Sequence, residues 1–202
     1  MKTIVNTIPG YRVCEYALVL NPHEDLRNRI TRLKEEFAAE FGTGPVVGTP
    51  RISLVRFRQY AMMEEKIVAR LRELAMGFPP FRVELKDFGS FPAHTIFIQV
   101  TSKLPVQHLV KSVRSAAQRL MKMNEDNKPH FILEPHVTFA ARLKPGQYEK
   151  GWLALSHKHF SGRFIAGGMT LLRKKENDIR FHAAGQFEFL HLPVITRQGE
   201  LF

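Results

Sequence analysis

Hydrophobic residues along the chain follow two periods that alternate in blocks. Tyr16 to Leu20 is an unbroken apolar run of strand length, ended by Asn21-Pro22. Leu26, Ile30, Leu33, Phe37 and Phe41 then recur at three- and four-residue steps, the spacing of one helical face, until Gly42 supplies a stop. Asn21 suits an N-cap, Pro22 the first helical position and Glu24 the return contact of a capping box, so the helix is expected to begin there. A Gly-, Pro- and Thr-rich loop runs from Gly42 to Pro50.

The period then shortens to two over Arg51 to Phe57, a strand with Arg51 and Ser53 on one face. Met63, Ile67, Leu71 and Leu74 mark a second helix ending near Gly77. Phe81 to Leu85 and His94 to Val100 read as strands separated by a Gly/Ser/Pro corner. Val106, Leu109, Val113, Ala117 and Leu120 define a third helix, and Asn124 to Lys128 a solvated loop. His136 to Arg142 is a further strand, broken by Pro145-Gly146, after which Tyr148, Trp152 and Leu155 suggest a short helix. Two closing strands, near Phe164 to Leu172 and Ile179 to Leu190, are joined by a turn at Glu176-Asn177-Asp178. From His191 to Phe202 no periodicity is visible.

Chemistry concentrates in Glu134-Pro135-His136-Val137-Thr138-Phe139. Val, Thr and Phe favour an extended backbone, and Pro135 biases Glu134 the same way. His136 and Thr138 therefore share one face, and Val137 and Phe139 the other, packed one. An imidazole can move a proton near neutral pH, and the neighbouring hydroxyl can hold a phosphate oxygen. Alone, such a histidine is more often a hydrogen-bonded structural residue. A repeat changes its weight. Pro50-Arg51-Ile52-Ser53-Leu54 and Pro135-His136-Val137-Thr138-Phe139 share the order proline, large basic, β-branched, hydroxyl, apolar, and their basic residues stand 85 apart. Each strand follows a helix and a loop and leads into a helix. The pattern suggests a duplicated β/α unit whose two lobes face a shared cleft.

Composition narrows the partner. The chain has 202 residues, 44% of them hydrophobic, enough for one domain with a sizeable core. A net charge of +11 raises the prospect of a phosphate-bearing partner, RNA above all, although a basic surface also serves solubility alone. The single cysteine, Cys14, excludes an intrachain disulfide and suits a reducing, cytoplasmic setting. Lys2 is not followed by a signal-peptide core, and no apolar run is long enough to span a bilayer, so no membrane partner is expected.

With both motifs in view, the chain resembles the 2H phosphoesterase superfamily, which includes the 2′-5′ RNA ligase-like proteins and the cyclic phosphodiesterases. The resemblance spans roughly residues 14–190 and includes the Phe88-Gly89-Ser90-Phe91 corner and the closing hairpin. His136-Val137-Thr138-Phe139 matches the family's H-x-[ST]-apolar signature in full, whereas Arg51 stands where the family has its other histidine and Ser53 keeps the hydroxyl. The resemblance implies an α+β fold over residues 1–202. It would be one bilobal, monomeric domain, with two mostly antiparallel sheets flanking a central cleft and helices outside. It also implies hydrolysis or transesterification of a 2′,3′-cyclic or 2′-5′ phosphodiester of RNA or a nucleotide. His136 would move the proton and Ser53 and Thr138 hold the phosphate, with no cofactor or metal.

Arg51 stays protonated, so it can clamp a phosphate but cannot shuttle a proton. The alternative is therefore a non-catalytic phosphate or RNA binder of the same fold, with Arg51, Ser53, His136 and Thr138 as an anion cradle. A structural protein that has kept only the fold is a third reading. Two further candidates are His94, which could compensate for the lost histidine or simply cap a strand, and Arg142, on the face of His136 and Thr138 or at the rim. His157-Lys158-His159 has the spacing of a metal pair but no accompanying carboxylate or cysteine cluster, and is read as solvated.

Overall fold

β1, Val13–Leu20, carries the first apolar run and lies inside the sheet, paired antiparallel with β2 (Ile52–Tyr60) on one side and β8 (Gly168–Lys175) on the other. The remaining strands are β3 (Phe81–Phe91), β4 (Thr95–Val100), β5 (His130–Phe131), β6 (His136–Ala141), β7 (Ser161–Ala166) and β9 (His182–Glu188). The structure, a computed structural model, describes residues 10–44, 48–176 and 178–192. Within these the strands form one antiparallel nine-stranded sheet in the order β7-β3-β4-β6-β2-β1-β8-β9, with β5 on β2. Two four-stranded halves, β7-β3-β4-β6 and β2-β1-β8-β9, meet at its centre.

Four helices complete the α+β architecture: α1 (Glu24–Phe41), α2 (Glu64–Gly77), α3 (Lys103–Met121) and α4 (Pro145–Leu155). α1 leaves β1 but packs on β6 of the other half, beside α4, which lies on β4; α3 leaves β4 but packs on β2, beside α2, which lies on β9 and β8. The crossovers interlock the halves: the half β2-β1-β8-β9 takes its strands from both ends of the chain, and β7-β3-β4-β6 takes its strands from the middle. The main core cluster has Ile30, Ile52, Leu54, Ile67, Leu71, Leu109 and Val137 fully buried, and a small second cluster joins Ala17, Val19 and Leu172.

Several local expectations need correction. The capping box does not form: His23 is the N-cap of α1, without a side-chain bond, and the Asn21 amide instead donates to Thr170 Oγ1 at 3.0 Å. A tertiary partner outcompetes the local cap. At the other end, Gly42 takes the left-handed conformation (φ 60°) that stops the helix. Pro145 opens α4 at its first position rather than standing apart from it. The expected strand from Phe164 to Leu172 is two strands, because the chain breaks at Gly167-Gly168 and crosses from one sheet edge to the other half. Gly168 lies so close to β9 that an added Cβ would meet the Phe187 carbonyl oxygen at 2.5 Å. β7 therefore pairs with β3, and only β8 and β9 form the closing hairpin. Pro45, Val46, Val47, Asn177 and residues 1–9 and 193–202, on which part of the loop, turn, tail and leader readings fall, lie outside the described residues.

Candidate functional site

The two motif strands meet at one residue pair, Ile52↔Val137, where β2 runs antiparallel to β6. Both side chains are fully buried. Alternation then turns their neighbours to the opposite face, with Ser53 across from His136 and Arg51 across from Thr138. The sheet register thus brings the four motif positions of the sequence reading onto one face. Each motif strand also carries a bulge at the same place. The ladder to β1 passes from Leu18↔Val55 to Val19↔Ser53 and leaves Leu54 unopposed; that of β6 to β4 passes from Ile96↔Ala140 to Phe97↔Thr138 and leaves Phe139 unopposed. The repeated apolar residue after each hydroxyl is the bulged one.

This face lines a cleft of about 910 Å³. Ser53, His136 and Thr138 are on its wall, with Lys34 from α1, Arg56 from β2 and His130 from β5. The chain between β5 and β6 builds the histidine's seat. β2 advances three residues between Ile52 and Val55 while the opposing chain advances six between Val137 and Phe131, so Leu133-Glu134-Pro135 loops outward. That loop presents the Glu134 carbonyl, which accepts a hydrogen bond from His136 Nδ1 at 2.9 Å. A carbonyl can only accept, so Nδ1 carries hydrogen and Nε2 is the nitrogen free for chemistry. Phe91 and Phe97 hold the ring, with centroids 5.3 Å and 5.0 Å away.

Cations line the cleft as well. Lys34 Nζ donates to the Thr138 carbonyl at 3.5 Å, and Arg56 Nη2 to Ser53 Oγ at 3.4 Å. Burial, and after it the charge of Arg51, holds the Lys34 amine below the usual lysine range. Arg51 is likewise lowered by burial and then by Arg56. Among the described residues neither Lys34, Arg51 nor Arg56 has a carboxylate within salt-bridge distance. Lys34 and Arg56, cations on the cleft wall without counterions among the described residues, form a place for an anion.

Arg51 itself lies with its guanidinium over the Phe181 ring, 5.6 Å from the centroid, rather than on the cleft wall. Arg142 is on the wall, just past the end of β6 and in a left-handed conformation (φ 58°). His94 is not brought to the four. It sits on the turn before β4, its Nδ1 2.7 Å from Thr95 Oγ1, whereas His136 is opposite Gln99. Five strand residues separate the two levels, roughly 17 Å. That spacing leaves His94 outside the group of four motif positions. His159 of the His157-Lys158-His159 stretch faces Asp87 at 3.3 Å, and among the described residues no group of three or more His, Cys, Asp or Glu side chains could hold a metal ion.

Lys34, Arg56 and His130 are the wall residues that sequence reading missed. Strict alternation from Arg51 and Ser53 puts Val55 on the polar face and Arg56 on the packed one. The bulge at Leu54 reverses this: Val55, Phe57 and Gln59 are buried, and Arg56 and Arg58 exposed. β5 is only two residues long and gives no periodic signal. Lys34 is one of many charged residues on an amphipathic helix, and only the packing of α1 on β6 singles it out.

The sequence model of the 2′-5′ RNA ligase superfamily matches residues 22–178, more than half of the chain. The chain belongs to that superfamily, within the 2H phosphoesterases. No curated protein sequence matches it. Its fold is that of TT0787 from Thermus thermophilus, at TM-score 0.66 and 18% identity over 87% of this chain and 98% of that one. E. coli LigT with 3′-AMP bound aligns at TM-score 0.65 and 15% identity, covering 88% and 98%. Kluyveromyces marxianus Usb1 aligns at TM-score 0.51 and 12% identity, covering 88% and 99%. Among the described residues no helix is long and apolar enough to cross a membrane.

Proposed function

We propose that the cleft binds and turns over a phosphodiester of RNA or of a nucleotide, with a 2′,3′-cyclic or 2′-5′ linkage as the substrate class. The observation that carries the reading is the Ile52↔Val137 register, which sets an oriented imidazole and two hydroxyls around one cleft. In this reading the free Nε2 of His136 moves a proton, and Ser53 and Thr138 hold phosphate oxygens. Lys34 and Arg56 balance the charge that builds up as phosphorus is attacked. E. coli LigT, of the same fold, has been crystallised with 3′-AMP and with ATP, ligands of the size and charge this cleft would take.

A second reading, a phosphate or RNA binder without turnover, draws on Arg51, which replaces a proton carrier with a fixed charge. One experiment separates the two. Purified protein is offered a panel of 2′,3′-cyclic and 2′-5′-linked nucleotides, with His136→Ala as control. Turnover lost in the variant supports the enzyme; binding without turnover in either supports the binder.

A further inference from the structure

The cleft holds a second imidazole outside both motifs. β5 pairs with β2 as Val55↔Phe131 and Arg56↔His130. Residues directly opposed on an antiparallel pair share a face. Val55 is buried and Phe131 packs on the core, so Arg56 and His130 turn together to the other side, where both are exposed and both line the cleft. The bulge at Leu54 makes that side the face of Ser53. Ser53 is opposite His136 and Arg56 is opposite His130, three residues further along β2 with one of them bulged. The imidazoles therefore stand roughly 7–10 Å apart along the strands. Across from them on β2 are Ser53 Oγ and Arg56 Nη2, 3.4 Å from each other. Such a gap admits a phosphate with one oxygen within hydrogen-bond reach of each ring.

We propose that the reacting phosphorus of this protein sits between His136 and His130, held by Ser53 and Arg56, and that these two histidines are its proton acceptor and donor. The assignment rests on the phosphodiester reading of the cleft. With a 2′,3′-cyclic phosphate, a neutral imidazole takes a proton from water as the water oxygen bonds to phosphorus. The bond from phosphorus to one ribose oxygen breaks, and the imidazolium on the other side protonates that oxygen. Water and the cyclic diester give a monoester, and the rings, left with exchanged protonation states, are reset by solvent. An in-line displacement asks for groups on opposite sides of phosphorus, and two rings separated along the strands supply them. The other charges on the wall are Lys34 on α1, Arg56 on β2, Arg142 past β6, and Glu134, which is ion-paired with Lys103 at 2.8 Å.

The test is the pH–rate profile of the wild type, His130→Gln and His136→Gln on one cyclic nucleotide that the wild type turns over. Thermal melts check that each variant is folded; both substituted residues lie at the cleft surface. The wild type should give a bell, each variant should lose a different limb, and kcat should fall about 10²–10⁴-fold in each. The double variant should be little worse than either single one, as for groups that act as a unit. If His136→Gln is inactive while His130→Gln keeps both limbs and full rate, the His130 assignment is wrong and the phosphodiesterase reading stands. If the wild type turns over none of the panel, the reading itself fails and takes the assignment with it.

Discussion

Ile52 and Val137 oppose each other across the β2–β6 junction, both without exposed surface, and through this pair the ladders of the two sheet halves join. The contact is structural, yet it fixes the phase of the residues on either side. A one-residue slip would exchange the polar and packed faces of the cleft floor.

Ile52→Ala should therefore destabilise the protein by about 2–5 kcal/mol, the usual cost of emptying a buried aliphatic site. It should also weaken inorganic phosphate binding by the protein that remains folded. Ile52→Val, which keeps the junction filled, should cost about 0.5–1.5 kcal/mol and leave binding unchanged. Denaturant melts and phosphate titrations of the two variants give both numbers.

The cleft's arginines should separate by mutation. Arg56 reaches Ser53 Oγ at 3.4 Å, whereas Arg51 lies over Phe181. Arg56→Met should lower kcat/KM on a cyclic phosphate by more than tenfold, and Arg51→Met by less than tenfold. Arg51→His, which restores a titratable group to the first motif, should not raise turnover, because the side chain at that position lies beside Phe181 and not on the cleft wall. A large gain in Arg51→His would show that Arg51 holds the catalytic position after all.

Lys34 gives the cleft a pH signature. Its folded-state pKa is lowered, by burial first and by Arg51 second, so the unfolded chain holds the proton more tightly. By linkage, Lys34 destabilises the free protein at neutral pH, and the penalty fades as pH rises through the lowered pKa towards about 10.4. A bound anion favours the ammonium, so affinity should be full at neutral pH and fall on the alkaline side, starting below the ordinary lysine range. Phosphate titrations by calorimetry in buffers of different ionisation enthalpy should show proton uptake there. Lys34→Arg should abolish that uptake, since arginine stays charged.

How much of this was legible depended on whether a residue's position is set locally. The helices announced themselves through three- and four-residue spacing, and Gly42 marked the end of α1. His136, Thr138 and Ser53 were found because period-two alternation holds up to each hydroxyl. It fails one residue later, at Leu54 and Phe139, since a bulge is a property of two strands and not of one. That failure hid Arg56. His130 was hidden by the brevity of β5, which exists only because Val55 and Arg56 lie opposite it. Asn21 looked like a cap because the sequence does not show Thr170, its partner 149 residues away.

Gln59 offers a check away from the cleft. It is 3% exposed, and its amide donates to the Leu120 and Lys122 carbonyls at 2.8 Å and 3.2 Å while its oxygen accepts the Tyr60 N–H at 2.8 Å. The side chain thus satisfies carbonyls at the C-terminal end of α3 and ties that helix to β2. Gln59→Leu would leave those groups buried and unpaired, at about 1–3 kcal/mol, without touching the cleft. Stability should fall by that amount in denaturant melts, and turnover of the folded fraction should not change.

Salt dependence should distinguish a nucleotide from a polymer as the preferred ligand. The chain carries a net +11, and the cleft's cations Lys34 and Arg56 have no carboxylate partner among the described residues. Further along the same face of β2 stands Arg58, exposed, two residues beyond Arg56. A single-stranded RNA leaving the cleft over this strand would neutralise additional phosphates, each adding about 0.7 to the negative slope of log affinity against log salt. An oligonucleotide ending in a 2′,3′-cyclic phosphate should therefore show a slope steeper than a cyclic mononucleotide by about 0.7–1.5, and Arg58→Ala should remove about 0.7 of the difference. Equal slopes for the two ligands would mean that the protein holds only the terminal nucleotide, and that its positive charge serves something other than RNA.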